Sequence, residues 1–368
     1  MASTRTSRHL RFEPIESRLC LAVTAALASN GDLRIEGDSA GPIEIVALDA
    51  DSYQVSENAV VVGTIDGVRR GIRIALGASN DLVTLDLGGQ SVNKDLHVNL
   101  GDGDNTFTLT NGTIRGHLIV GGGLGIDTVD VQDDVAVRKN TTVSLGAGDN
   151  VATLSADFSG QLTVEASGGN DTVTIDDKAG VAKHAKVRLG DGDNIFSFEG
   201  DVSDHLFYYG GDGIDTVSIL ADARVAKHAQ INLGNGDNTF TLEGRIDRNL
   251  MLSAGSGIDT VNILSQAKIA RDAHVKLGDG DNVFTLEGEV KSSLHLETGA
   301  GIDTVTIAAA AKVAKDAHVK LGAGDDLFSF AGSVARKLHL DGGAGNDTYT
   351  NLGGTAKTLK LNSIEVLV

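Results

Sequence analysis

Residues 274–306 read HVKLGDGDNVFTLEGEVKSSLHLETGAGIDTVT and contain two copies of one pattern: a short alternating segment, a Gly-x-Gly turn and a second alternating segment. In the first copy Val275 and Leu277 alternate with polar residues before the turn, and Phe284 and Leu286 do so after it. Because successive side chains of a β-strand point to opposite faces, each segment has one apolar face to bury. Glycine suits the tight turn between them. The stretch therefore predicts repeated strand–turn–strand units.

The same turn recurs along most of the chain and sets the period of the fold. Its first positions fall at 77, 101, 123, 146, 167, 190, 211, 234, 255, 278, 299, 322 and 343. From 146 onward the steps alternate between 21 and 23, so the sequence repeats every 44 residues as two halves of mean length 22. A period of this size is typical of solenoid proteins, whose repeats stack on their neighbours.

The residues around the turn indicate whether one rung has 22 or 44 residues. With 22, outward positions stack opposite charges about 4.8 Å apart, in the order Lys276, Glu297, Lys320, Asp341. The inward column then mostly alternates large and small side chains, in the order Phe196, Val217, Phe240, Val261, Phe284, Val305, Phe328, Tyr349. A 44-residue rung would stack lysine on lysine. We predict an all-β fold, a right-handed parallel β-helix (β-solenoid) of about thirteen 22-residue rungs, roughly 60 Å long.

The fifth position of the turn alternates between asparagine and aspartate. These residues are Asn105, Asp127, Asn150, Asp171, Asn194, Asp215, Asn238, Asp259, Asn282 and Asp303. Stacked 22-residue rungs would place them in one column, with carboxylates two rungs apart and an Asx hydrogen-bond ladder along the turns. The alternation breaks at Asp326, which precedes Asp347 in the same column.

The ends of the chain depart from the regular array and suggest four segments. Residues 1–11 are basic, and residues 19–28 form an apolar run ending in the small-residue pattern Ala26-Leu27-Ala28, which is typical of cleavage sites. We predict an export leader over 1–28, degenerate first rungs and an N-terminal cap over 29–76, the regular solenoid over 77–354 and a C-terminal cap over 355–368. Caps are expected because an open last rung exposes an unpaired strand edge.

Residues 11–22, RFEPIESRLCLA, resemble the LEPR-XLL type element at the N-terminus of large extracellular proteins of planctomycete bacteria. The resemblance implies a bacterial protein exported to the cell surface or the extracellular space. The apolar run is too short to cross a bilayer, so no membrane span is expected. The single cysteine, Cys20, excludes internal disulfides.

Several turns are similar to the Gly-Gly-x-Gly-x-Asp-x-apolar-x nonapeptide of RTX, or hemolysin-type, calcium repeats; residues 122–130, 210–218 and 342–350 fit it. In that family stacked turns hold Ca²⁺ with backbone carbonyls and the aspartate carboxylate. The resemblance implies Ca²⁺ ligands at Asp127, Asp171, Asp215, Asp259, Asp303 and Asp347. This chain has one copy per rung and asparagine in alternate rungs, although aspartates at 104, 149, 193, 237, 281 and 325 could add ligands. The alternative is that the turn aspartates bond only backbone.

Two outward columns suggest other surfaces. His274, His295, His318 and His339 fall on successive rungs, an arrangement that could bind a transition metal. Thr-x-Thr segments such as 106–108, 172–174, 239–241 and 304–306 are similar to those of ice-binding β-solenoids. Both columns also have plainer explanations, since threonine is favoured on exposed strands and exposed imidazoles without a carboxylate partner are usually uncommitted.

Composition and the lack of catalytic motifs narrow the function. With 50 acidic and 31 basic residues the net charge is −19, and no stretch gathers Lys and Arg with aromatics, so nucleic acid is not an expected partner. Rungs after 146 keep their length and no catalytic constellation stands out, so enzymatic activity is not expected; a polysaccharide-active enzyme is the alternative. We predict a secreted or cell-surface structural or adhesion solenoid whose partners are surface polysaccharides, matrix proteins or envelope proteins.

Overall fold

A computed structural model describes residues 22–39 and 41–368. All regular elements of these residues are β-strands, 44 in number. They stack as a parallel β-solenoid of about 13 turns roughly 22 residues apart, which confirms the fold class expected from the repeat. The described residues contain no helix with the length and apolar character needed to cross a membrane.

The strands fall into an N-terminal group, a regular array and a C-terminal group. The N-terminal group is β1 (Val23–Leu27), β2 (Leu33–Gly37), β3 (Pro42–Ala47), β4 (Ser52–Glu57), β5 (Val60–Asp66) and β6 (Ile72–Ala75). The regular array is β7 (Leu82–Asp86), β8 (Ser91–Val92), β9 (Leu96–Asn99), β10 (Thr106–Thr110), β11 (Gly112–Ile114), β12 (Leu118–Gly121), β13 (Thr128–Val131), β14 (Val135–Val137), β15 (Thr141–Ala147), β16 (Val151–Leu154), β17 (Asp157–Phe158), β18 (Leu162–Gly168), β19 (Thr172–Ile175), β20 (Gly180–Val181), β21 (Ala185–Gly190), β22 (Ile195–Phe198), β23 (Asp201–Val202), β24 (Leu206–Gly210), β25 (Thr216–Ile219), β26 (Arg224–Val225), β27 (Ala229–Asn232), β28 (Thr239–Leu242), β29 (Arg245–Ile246), β30 (Leu250–Ser253), β31 (Thr260–Ile263), β32 (Lys268–Ile269), β33 (Ala273–Lys276), β34 (Val283–Leu286), β35 (Glu289–Val290), β36 (Leu294–Ala300), β37 (Thr304–Ile307), β38 (Lys312–Val313), β39 (Ala317–Ala323) and β40 (Leu327–Phe330). The C-terminal group is β41 (Ser333–Ala344), β42 (Thr348–Asn351), β43 (Thr355–Asn362) and β44 (Val366–Leu367).

Each regular rung contributes three strands: one after the Gly-x-Gly turn, a short second strand, and a third that leads into the next turn. Every strand from β7 to β40 pairs in parallel with the strand three positions further along the chain or, at the end, with its equivalent in the C-terminal group. Three strand columns therefore run along the solenoid. The Gly-x-Gly turns form a fourth column between the third and first strands.

The register of the rungs is the one that the outward charges and inward side chains predict. Lys276 lies opposite Glu297, and Glu297 lies opposite Lys320, with ion-pair distances of 3.2 and 3.4 Å. In the core, Phe240 lies between Val217 and Val261, and all three are fully buried. Large and small side chains thus interdigitate between rungs that are one strand spacing apart.

The glycine at the third position of each Gly-x-Gly turn packs against the residue at the same position in the preceding rung. At Gly280 φ is +130°, a region that residues with a Cβ rarely adopt, and a Cβ there would lie 1.8 Å from the carbonyl oxygen of Gly257. Close backbone stacking therefore requires glycine at this turn position.

The N-terminal group differs from the regular rungs because it contains antiparallel pairs. β1 pairs antiparallel with β2, and β3, β4 and β5 form an antiparallel meander, whereas β2 and β3 pair in parallel with β6 and β7. Residues 23–27 of the leader predicted over 1–28 form β1, while residues 1–21, with the LEPR-XLL type segment up to residue 21, lie outside the described residues. At the other end, the predicted cap over 355–368 contains β43 and β44, which pair in parallel with β41 and β42.

Candidate functional site

The fifth residues of the turns form one buried hydrogen-bond ladder along the solenoid. The backbone N–H of each residue donates to the side-chain Oδ1 of its equivalent in the next rung at 2.8–3.1 Å, as Asp127 does to Asn150. At Asn105 the side-chain amide makes the link to Asp127, at 2.8 Å. The last backbone N–H, that of Asp347, donates to Oε2 of Glu365 at 2.9 Å. This is the Asx ladder that the alternating sequence predicts.

Asparagine and aspartate make different bonds in this turn ladder. The Nδ2 of Asn150 donates to the carbonyl of Gly148 and to Oδ1 of Asp171, both at 2.8 Å. It thereby satisfies a turn carbonyl and a buried carboxylate, whereas an ionised aspartate has no proton to donate. Alternation keeps buried carboxylates about two strand spacings apart, roughly 9.6 Å.

The residue five positions before the ladder position alternates with it. It is leucine before each asparagine of the regular turns, at Leu100, Leu145, Leu189, Leu233 and Leu277. It is small before the aspartates predicted as Ca²⁺ ligands, at Gly122, Ala166, Gly210, Ala254, Thr298 and Gly342. A Cβ at Gly122 would lie 2.1 Å from Oδ2 of Asp127. At this turn the second carboxylate oxygen therefore occupies space that a larger side chain would need.

The six aspartates predicted as Ca²⁺ ligands are buried, each at most 1% exposed. Their Oδ2 atoms accept no hydrogen bond at Asp171, Asp259, Asp303 and Asp347. At Asp215 the hydroxyl of Tyr208 donates to Oδ2 at 3.0 Å. Because burial disfavours the charged form, the pKa of Asp171 and that of Asp259 are raised to about 6. The second oxygen of these carboxyls is thus the least satisfied polar atom of the turns.

The other turn aspartates, suggested as additional ligands, form a second ladder on the exposed side of the turns. Oδ1 of each accepts a backbone N–H from the following rung at 2.7–2.9 Å, as Asp104 does from Ile126. The members of this outer ladder are Asp104, Asp149, Asp193, Asp237, Asp281 and Asp325. These side chains bond the neighbouring rung rather than their own turn, so they join rungs directly.

Oxygen donors of this kind fit Ca²⁺ chemically, but one ladder carboxylate every two rungs is few for an ion that takes six to eight oxygens. Carboxylates are most concentrated where the asparagine–aspartate alternation breaks, because Asp303, Asp326 and Asp347 occupy the ladder position in three successive rungs. There burial, together with neighbouring carboxylates, raises the pKa of Asp326 to about 6. If a cation binds the turn ladder, this C-terminal end offers the densest set of donors.

The outward histidines predicted on successive rungs do stack in one column. The rings of His274 and His295 lie 4.7 Å apart with 5° between their planes, and those of His295 and His318 lie 5.3 Å apart with 9°. The ring of His339 turns to 79° against that of His318. Parallel rings one rung apart point their nitrogens side by side, so the first three do not converge on a shared point.

A second group of histidines, which the sequence did not single out, does converge. His184 immediately precedes β21, and Asp204 and His205 precede β24 in the next rung. Nδ1 of His184 and Nε2 of His205 lie 3.2 Å from Oδ2 and Oδ1 of Asp204, respectively. One ligand atom from each residue lies within 4.8 Å of the other two. The 21-residue offset between the two histidines was the sequence signal, because it equals one step of the turn repeat.

Only one of the two columns of the hydroxyl-rich face is polar in every rung. The inner of these columns has a hydroxyl or other short polar side chain in every rung, at Thr84, Thr108, Asp130, Thr153, Thr174, Ser197, Ser218, Thr241, Asn262, Thr285, Thr306, Ser329 and Thr350. The column two residues earlier on the same strands has apolar residues at Leu82, Val151, Ile195, Val283 and Leu327. A regular two-column lattice of threonines is therefore absent from the described residues.

These features define the class of the protein as a parallel β-solenoid whose rungs are joined by side-chain ladders through the turns. No protein-family model matches the chain, and no curated protein matches it.

Proposed function

We propose that this protein is a non-enzymatic structural or adhesion rod that acts at the surface of a bacterial cell or outside it. The observation that carries the proposal is the ladder from Asp81 to Glu365, which joins each rung to the next through buried hydrogen bonds. Such internal ties favour a stiff body with long, regular faces. Surface polysaccharides, matrix proteins and envelope proteins are the partners proposed for these faces.

The surface depressions support a role other than catalysis. Five of these depressions have volumes of about 270–570 Å³. Three of the five lie within the regular array, and their walls are side chains of adjacent rungs rather than inserted loops. Enzymes of this fold class that act on polysaccharides need a cleft with clustered acid and base groups. The uniform rungs of the array build no long loop around such a cleft.

Surface display and binding test the proposal together. We expect antibodies against the folded chain to label intact cells, external protease to remove the label, and the folded chain, but not the heat-unfolded chain, to bind isolated envelopes or matrix. Incubation with envelope polysaccharide should release no oligosaccharides. Confinement of the protein to the cell interior, or release of defined oligosaccharide products, would contradict the proposal.

Calcium-dependent folding of the turns is a second candidate function, favoured by the unpartnered carboxylate oxygens of the turn ladder. In chelator the buried oxygens at Asp303, Asp326 and Asp347 have no cation to offset their burial, so bound Ca²⁺ would stabilise the folded state by mass action. The prediction is a melting temperature that rises with Ca²⁺ but not with equal ionic strength of Na⁺.

Asparagine substitution separates this role from a purely architectural one. Asp326→Asn restores the alternation and removes one donor, so the Ca²⁺-induced rise in melting temperature should shrink. Asp201→Asn, an exposed change on a strand away from the turns, is the matched control and should leave the rise intact. If Ca²⁺ leaves the melt of the wild-type chain unchanged, the turn ladder is architectural.

A further inference from the structure

The group formed by His184, Asp204 and His205 contains buried polar atoms that face one another and the ammonium group of Lys227. Nδ1 of His184 and Oδ1 of Asp204 are inaccessible to solvent. Nδ1 of His184 faces Oδ2 of Asp204 at 3.2 Å, and Oδ1 of Asp204 faces Nε2 of His205 at 3.2 Å and Nζ of Lys227 at 2.7 Å. The side chains themselves are 21–36% exposed, so the group lies just beneath the surface and is open on one side. Buried nitrogen and oxygen atoms of this kind cost free energy unless another group compensates them.

The spacing of these atoms suits a small metal ion. Two ligands at 2.0–2.2 Å from a tetrahedral Zn²⁺ lie roughly 3.3–3.6 Å apart. The contacts from the two imidazoles to the carboxylate of Asp204 are both 3.2 Å, and the imidazole rings are tilted by 44°. The stacked rings of His274 and His295 have neither the tilt nor a carboxylate between them. Imidazole nitrogens with one carboxylate are ligands that Zn²⁺ and other first-row divalent ions prefer.

Neighbouring rings restrict the orientation of His205, whereas Lys227 competes with a metal ion for the carboxylate of Asp204. The ring of His205 stacks on that of His228 at 5.2 Å and on that of Phe207 at 5.6 Å, which restricts its orientation. Nζ of Lys227 lies 2.7 Å from Oδ1 of Asp204 and supplies a positive charge at the carboxylate. A divalent ion bound here would be repelled by that ammonium group.

We propose that His184, Asp204 and His205 form a binding site for a divalent transition-metal ion of the Zn²⁺ type. Three protein ligands leave coordination positions free, as in zinc sites that also hold water or a ligand. A groove of about 350 Å³, lined by His184, Phe207, Lys186 and other side chains, adjoins the group. The site is independent of the turn ladder and of any role of that ladder in calcium binding.

Calorimetric titration of the full chain, without a histidine tag, with ZnCl₂ at pH 7.5 tests the proposal. We expect one saturable Zn²⁺ per chain, and His184→Ala or His205→Ala should each weaken binding by at least about tenfold. His295→Ala removes a histidine of the stacked column and should leave this binding unchanged. Co²⁺ bound at the same site should give visible absorption bands that the two weakening substitutions abolish.

Lys227→Met is expected to change Zn²⁺ affinity in the opposite direction, and it removes none of the three ligands. Removing the competing ammonium group should tighten Zn²⁺ binding, whereas Lys315→Met removes the same charge in a distant rung and should not. Far-UV circular dichroism of each variant establishes that it is folded. Absence of saturable Zn²⁺ binding, or binding that neither His184→Ala nor His205→Ala weakens in folded protein, would overturn the proposal.

Discussion

Replacing Asp259 by asparagine removes a buried carboxylate from the middle of the turn ladder while keeping its shape. Oδ1 would still accept from the backbone and side-chain N–H groups of Asn238, now 3.1 and 3.0 Å from Asp259. The new amide group can donate to the carbonyl of Gly257, because Asn238 donates in the same way to Gly236 at 2.9 Å. The substitution therefore tests the cost of the charge rather than of the bonds.

The magnitude follows from the pKa of the carboxyl. Burial raises the pKa of Asp259 from 3.8 to about 6, and the residue is 0% exposed. At about 1.4 kcal/mol per pKa unit, the ionised form is disfavoured in the folded state by at most about 3 kcal/mol. Because the folded state keeps this proton to higher pH than the unfolded state, the contribution of the carboxyl to stability falls as pH rises from about 4 to 6.

The assay is thermal melting followed by far-UV circular dichroism in chelator, at pH 8 and at pH 4. We expect Asp259→Asn to raise the melting temperature clearly at pH 8 and little at pH 4, where the wild-type carboxyl is protonated in the folded state. Asn238→Asp is the mirror control, and it should lower the melting temperature more at pH 8 than at pH 4. A lower melting temperature for Asp259→Asn at pH 8, or equal shifts at both pH values, would refute the reasoning.

Three further predictions concern the histidine column, the turn glycines and the core; the first two use the same melts. His295→Gln should stabilise the protein relative to wild type as pH falls from 7.5 to 5.5, because burial, and then the neighbouring imidazoles, lower the pKa of His295 and the folded state takes up its proton late; His97→Gln, outside the stacked run, is the comparison. Gly280→Ala should lower the melting temperature far more than Gly353→Ala, since both have positive φ but only the first Cβ meets backbone, at 1.8 Å. Phe240→Ala leaves a core cavity and should cost about 3–5 kcal/mol locally, measured as faster hydrogen exchange in the adjacent rungs.

Much of the fold could be predicted because identical positions contact each other in a solenoid. The order of Lys276, Glu297 and Lys320 was enough to select a 22-residue rung, since unlike charges one strand spacing apart attract and like charges repel. The antiparallel pairing of β1 to β5 could not be predicted, because those segments lack the turn motif and their partners depend on how the first rung is covered.

The turn ladder was predictable in outline, but its burial was not. Strand alternation does not extend through a Gly-x-Gly turn, so the sequence did not indicate that Asp171 points into the protein with one oxygen unpartnered. The group around Asp204 was missed for a different reason. Its residues lie outside the Gly-x-Gly turn, just before strands of two successive rungs. They are recognised as neighbours only when residues 21 positions apart, one step of the turn repeat, are compared at these positions too.

The coupling of asparagine to leucine and of aspartate to a small residue has a consequence for how such a chain changes length. Duplication or loss of one 22-residue rung would make two like rungs neighbours, either two with aspartate and a small residue or two with asparagine and leucine. Gain or loss of 44 residues restores both alternations at once. Lengthening and shortening by recombination are therefore expected in steps of two rungs, with odd numbers tolerated best near Asp326, where the asparagine–aspartate alternation is already broken.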